Sequence, residues 1–164
     1  MGIVIYIFDT NAFIAWWHEI YPPQSFPDIR VLIEQNIGGG TILSPIEVRK
    51  ELEEKVDDNL TVWAKKQHNL FVIEQIDLQL RIAEISNAYP KLVKQHKKIN
   101  ADPIVIAVAE AGHSTVVTQE NPVKQNNIVG CCRDIGVMCI SLSQYINNHK
   151  DSLNIIRKKL WGNG

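Results

Sequence analysis

Between residues 3 and 8 the chain reads IVIYIF, an apolar run with no polar phase, and it stops at Asp9, Thr10 and Asn11. A strand that is apolar on both faces belongs in the middle of a sheet covered on both sides, so this run is expected as the first, central strand of a parallel sheet. Thr10 or Asn11 can cap a following helix that runs through Ile20, where Pro22 and Pro23 stop it. A second helix is expected from about Phe26 to Asn36, with the glycines at 38 to 40 turning the chain into the short strand TILS. Pro45 suits the first turn of a third helix, PIEVRKELEEKV, with Ser44 as N-cap and Glu47 three residues on, the spacing of a capping box.

The alternation continues. Asp58 or Asn59 opens a helix through Lys66, LFVIEQI at 70 to 76 reads as a strand, and Leu78, Ile82, Ile85 and Tyr89 recur at helical spacing up to Pro90. In ADPIVIAVAEAG the pattern places Asp102 at the N-cap, Pro103 in the first turn and Gly112 just past the end of a largely buried helix. STVVT is a further strand, IVGCCRDIG a short helix, VMCIS another strand, and the remainder a polar helical tail. Strands alternating with helices predict a three-layer α/β/α sandwich around a mainly parallel sheet of about four to five strands. With 164 residues and neither a repeat nor a linker, residues 1–164 are expected to form a single domain.

Composition narrows the classes without naming one. The hydrophobic share is 45% and the charged share 21%, an ordinary globular balance. A formal net charge of −1 supplies no global field for a polyanion. No apolar run approaches the roughly 20 residues of a membrane span, and the N-terminus lacks the basic and apolar regions of a signal peptide, so no membrane partner and a cytoplasmic location are expected. Cys131, Cys132 and Cys139 are an odd number with no metal-ligand spacing, and read as reduced thiols.

Candidate chemistry lies in the acids. Ligands of an open parallel sheet bind beyond the carboxyl ends of its strands. Asp9 stands at one such end and Thr118 and Glu120 at another, while Asp102 begins a helix that can start on the same edge. Glu47 and Glu51 are four apart on one helix, so either can lean toward that edge. Each has a bland reading too: Asp9 and Asp102 as caps, Glu47 in its capping box, Glu51 and Glu120 as solvated acids. Their coincidence at one edge, where like charges repel, is costly unless cations or protons compensate it. Carboxylates without histidine or cysteine ligands suit Mg²⁺ or Mn²⁺, and such an ion can activate water for attack on a phosphodiester.

FDTNAFI after the apolar strand, EVRKEL on a helix, ADPIVIAVA and VVTQE resemble, in order and separation, the four acidic motifs of the PIN-domain family. The resemblance spans nearly the whole chain and is closest to a prokaryotic PIN-like group of undetermined function. It implies a metal-dependent endoribonuclease, often the toxin of a toxin–antitoxin pair similar to the VapC-like toxins, with RNA as substrate, an antitoxin protein as partner and a homodimer as assembly. On this resemblance Asp9, Glu51 and Asp102 match the three main acids, with Glu47 in reserve for Glu51. Glu120 takes the fourth position, where many members carry aspartate, and Thr118 supports it. Thr10 and Asn11 then orient Asp9 or touch a phosphate.

RNA also needs a basic surface. KLVKQHKK, residues 91 to 98, supplies Lys94, Lys97 and Lys98 just ahead of Asp102, and RKK at 157 to 159 adds a second group; either can equally be a solvated helix face. Trp16, Trp17, Trp63 and Trp161 could stack on bases or fill the core. A phosphatase with an aspartyl nucleophile would need a second acid two residues after Asp9, where Asn11 stands. The remaining alternative is a PIN-like module that binds protein or RNA without cutting it.

Overall fold

The computed structural model describes residues 2–55, 58–120 and 127–162. Four strands, β1 (Tyr6–Phe8), β2 (Ile42–Leu43), β3 (Thr115–Val117) and β4 (Cys139–Ile140), form an all-parallel sheet in the order β2-β1-β3-β4. The central place expected for the first strand is the one it takes: Tyr6 pairs with Ile42 on one side and Thr115 on the other. The strand itself is shorter than the apolar run. Ile3 and Val4 precede its first partners and are exposed.

Side chains alternate along a strand, so Tyr6 and Phe8 face one layer and Ile7 the other. Phe13, from helix α1 (Thr10–Ile14), and Tyr145, from α8 (Leu142–Asn148), meet Phe8 at 5.3 and 5.1 Å between ring centroids. Tyr6 meets Tyr145 edge to face at 4.9 Å. The same layer holds α2 (Pro27–Gly38) against β2 and against the terminal helix α9 (Lys150–Trp161). On the other side α6 (Asp102–Gly112) packs on β1 and β3, and α7 (Ile128–Ile135) on β4 and α6. The step from β1 to β2 runs opposite to the step from β3 to β4, and right-handed crossovers therefore send the helices to opposite faces. That is the expected three-layer α/β/α sandwich.

Between β2 and β3 lie α3 (Ile46–Lys55), α4 (Asn59–Lys65) and α5 (Gln79–Ala88). Of the two candidates Asp58 and Asn59, Asp58 caps α4 through a bond from Leu60 N of 3.0 Å. The first helix also reaches Ile20 as expected, but residues Ala15–Ile20 are wound as a π-helix, closed by Tyr21 N to Trp16 O at 3.2 Å. The wider turn narrows the angle between successive side chains, and Trp16 and Trp17 both reach Trp63, at 4.9 and 5.8 Å.

Four local expectations fail. The segment LFVIEQI is not a strand: Phe71 and Ile73 lean on the core, Val72 and Ile76 are exposed, and its backbone reaches the sheet edge through Ser44 N to Leu70 O. The capping box is absent because the Ser44 hydroxyl donates to the Phe8 carbonyl at 2.8 Å and the Glu47 carboxylate accepts from Gln75 at 2.7 Å. Gly112 is the last residue of α6, and His113 takes the left-handed cap at φ 50°. A Cβ at Gly112 would lie 3.0 Å from the Ser114 hydroxyl, so the glycine there supplies space. Finally, KLVKQHKK begins in a short 3-10 turn, Pro90–Leu92, and continues as a loop, so Lys94, Lys97 and Lys98 lie on no helix face.

Candidate metal centre

Backbone geometry brings the first carboxylate to the sheet edge. Asp9 N donates to Val117 O at 2.9 Å, extending the ladder by one residue, after which the chain turns into α1. Asp9 is the N-cap of that helix and accepts from Thr10 N at 2.7 Å through Oδ1. Its other oxygen accepts from the Thr118 hydroxyl at 2.8 Å, from the residue that follows β3. The capping role and the site role proposed for Asp9 therefore coexist in one side chain, and Thr118 supports Asp9.

Asp102 corrects an expectation. Ala101 occupies the N-cap in a helical conformation, φ −75° and ψ −26°, and Asp102 is the first residue inside α6. Its carboxylate is thus freed from capping, and no donor among the described residues bonds it. Helix polarity favours a negative charge at this terminus, but the charges of Asp9, Glu120 and Glu51 act against it, with Lys55 opposing them. Oxygens of Asp9, Asp102 and Glu120 all lie within 4.8 Å of one another, close enough to hold one metal ion.

Glu51 is buried beside this triad without being part of it. One oxygen accepts from the Thr10 hydroxyl at 2.6 Å and the other from Ala101 N at 3.4 Å. Glu51, expected to hold the ion directly or through water, lines the same cavity and ties α1 to the start of α6 while adding its charge to the cluster. Glu47, its reserve, is turned to Gln75 and does not line the cavity. Thr10 orients Asp9 through its backbone N–H, as expected, while the side chains of Thr10 and Asn11 reach other acids. Thr10 holds Glu51, and Asn11 donates to Glu120 at 2.9 Å, whose second oxygen accepts from Ile128 N at 3.4 Å. Each residue of Asp9-Thr10-Asn11 thereby fixes or supplies one acid of the site.

Burial is the main force on these groups. It pushes Asp9 from 3.8 up to about 6, against the lowering bonds from Thr118 and Thr10 and with help from the charges of Glu120 and Glu51. Asp102 is driven well above the usual carboxylate range by burial first, then by Asp9, Glu120 and Glu51, with Lys55 opposing. An all-oxygen triad in which one carboxylate has no hydrogen-bond donor among the described residues suits a hard divalent cation, which would relieve the repulsion.

The acids line a cavity of about 130 Å³ whose rim includes Lys55, Lys94 and Lys97. Two of the three lysines expected from the sequence border it, and Lys98 does not. Lys55 was missed. Its signal was its place one helical turn after Glu51. The second basic group lies elsewhere: Arg157 on α9 is bonded to Asp28 at 2.8 Å. Trp16 and Trp63 are buried in the core and cannot stack on a base, while Trp17 lies under the Arg30 guanidinium at 5.6 Å and Trp161 is exposed. Cys131, Cys132 and Cys139 are free thiols, as read. No helix among the described residues is long and apolar enough to cross a membrane.

No curated protein matches the chain at significant similarity. A family model does match, over residues 6–153, from β1 into the first turn of α9 and through every acid of the site. The chain therefore belongs to the family DUF4411, described as a domain of unknown function.

Proposed function

We propose that this protein is a Mg²⁺- or Mn²⁺-dependent endoribonuclease of PIN-like type, and that it serves as the toxin of a toxin–antitoxin pair. The observation that carries the nuclease reading is the convergence of Asp9, Asp102 and Glu120 within 4.8 Å, with no donor among the described residues bonding the Asp102 carboxylate. Asp9, Asp102 and Glu120 would hold the ion, with Glu51 fixing the geometry behind them. Such an ion supplies positive charge at phosphorus and lowers the pKa of water bound to it.

The protein's own groups do the rest. Asn11 and Ile128 N–H hold the Glu120 carboxylate, so that it accepts from the attacking water and aims its oxygen at phosphorus. The new bond is from that oxygen to phosphorus, the bond that breaks joins phosphorus to the leaving sugar oxygen, and the water's proton ends on that oxygen. Thr118 and Thr10 N–H keep Asp9 fixed in one orientation, so its reorganisation does not add to the barrier. The toxin role rests on the PIN-like motifs alone, with an antitoxin protein and a second copy of the chain as its partners.

The test is calorimetric titration of Mn²⁺ into the wild type, Asp9→Asn and Asp102→Asn, with cleavage of a mixed RNA pool followed in parallel. Binding and cleavage in the wild type that disappear in both variants, with unchanged circular dichroism, support the reading. Undiminished cleavage by the double variant refutes it, and RNA binding without metal binding favours the non-cutting module.

A further inference from the structure

Resting on the metal-dependent reading above, we infer that Lys55, Lys94 and Lys97 form a phosphate-binding rim, and that the cavity takes one phosphoryl group while leaving its nucleoside outside. The first support is placement. Lys55 stands four residues after Glu51, so α3 presents an acid and a lysine to the same cavity. Lys94 and Lys97 come from the loop after Pro90–Leu92, and that loop is set by two fastenings. Leu92 is buried in the core, and Asn100 accepts from Lys94 N at 2.9 Å while its amide returns to Lys94 O at 3.5 Å. Asn100 itself lines the cavity just ahead of Asp102.

The second support is charge. None of the three lysines forms an ion pair among the described residues, although four carboxylates line the same space. Lys55 and Lys97 are instead neighbours of one another. Burial and the adjacent Lys55 hold the Lys97 ammonium below the ordinary lysine range. Like charges set together are unfavourable, and an anion between them removes the cost. With a divalent cation bound and all four carboxylates ionised, the three ammonium groups leave the cavity one net positive charge. Anion binding at this rim therefore depends on the cation being present, a coupling between two adjoining sites.

Size supplies the third support. A cavity of about 130 Å³ is far below the roughly 300 Å³ of sites that engulf a drug-sized molecule. That is room for a phosphoryl group against the acids, and too little for a sugar and base. The rim thus recognises the phosphate common to every nucleotide and reads no base.

The experiment is titration of inorganic phosphate into protein saturated with Mg²⁺, for the wild type, Lys55→Gln/Lys97→Gln, Lys94→Gln and, as a control outside the cavity, Lys98→Gln. The expected result is phosphate binding that weakens at least about tenfold in the double variant, as the loss of one or two charge-assisted contacts would give. Lys94→Gln weakens it in the same direction, and Lys98→Gln behaves as wild type. Mg²⁺ affinity should be equal or tighter in the double variant, since removing cations from the cavity favours another cation. Phosphate affinity undiminished in the double variant, or absent in a wild type that binds Mg²⁺, overturns the rim and leaves the metal centre standing. A wild type that binds no Mg²⁺ overturns the metal reading, and the inference with it.

Discussion

Replacing Asp9 with asparagine should stabilise the metal-free protein while removing its response to metal. At about pH 7.5 the wild-type carboxylate is ionised in a site that prefers it protonated, with its pKa raised from 3.8 to about 6. The folded state then holds the proton more tightly than the unfolded one. Its contribution to stability is complete below the unfolded value of 3.8 and is lost as pH rises through about 6, a loss of about 3 kcal/mol. Asparagine carries no charge and keeps the acceptor for Thr10 N. Its amide donates to the Thr118 hydroxyl, which thereby loses its acceptor at a cost of about 1 kcal/mol. The net gain is about 2 kcal/mol, or about 4 to 8 °C in Tm for a chain of this size.

Calorimetric melts in EDTA at low and neutral pH, repeated with Mn²⁺, read all of this. In EDTA the variant should melt higher than the wild type at neutral pH, and the advantage should vanish near pH 4. Mn²⁺ at a hundred times its Kd should stabilise the wild type by about 2.7 kcal/mol and leave the variant unmoved. A variant that melts lower than the wild type at neutral pH, or that gains as much from Mn²⁺, would refute the reasoning that Asp9 is a strained ligand.

Thr10→Val removes the hydroxyl that holds Glu51 and leaves a buried carboxylate oxygen unbonded. Stability should fall by about 1 to 3 kcal/mol and Mn²⁺ affinity about 10- to 100-fold, measured by denaturant melts and titration. Asn11→Ala loosens Glu120 without touching Asp9; cleavage should drop more than Mn²⁺ affinity does, and equal losses would count against the water-orienting role of Glu120. Glu47→Gln leaves the acceptor for Gln75 in place and lies off the cavity, so Mn²⁺ binding should be unchanged; a large loss would return Glu47 to the ligand set. Leu92→Ala takes out the buried anchor of the lysine loop, and should cost about 2 to 5 kcal/mol in denaturant melts.

What the amino-acid order determined by itself is local. The apolar run into Asp9, the proline after Asp102 and the Asp58 cap each express preferences that act within a turn of helix or a few residues of strand, and each element they predict is present. From alternation alone came the parallel sheet, because a strand apolar on both faces has only a central place to go. The same local signals misled where the partner was missing. Residues 70 to 76 are rich in β-branched and aromatic residues like a strand, but β2 contributes only Ile42 and Leu43 to the sheet edge and leaves them no ladder to join.

The site's connectivity needed the tertiary structure. Glu47 and Glu51 are equivalent in sequence, and the packing of α3 against α1 decides that Glu51 enters while Glu47 meets Gln75. Thr10 and Asn11 look like attendants of Asp9, yet their side chains bond acids 41 and 109 residues away. Lys55 joins Lys94 and Lys97 only because a loop after α5 folds back over the end of α3. No short-range rule encodes such pairings: they follow from which surfaces bury together, and burial is a property of the assembled sandwich.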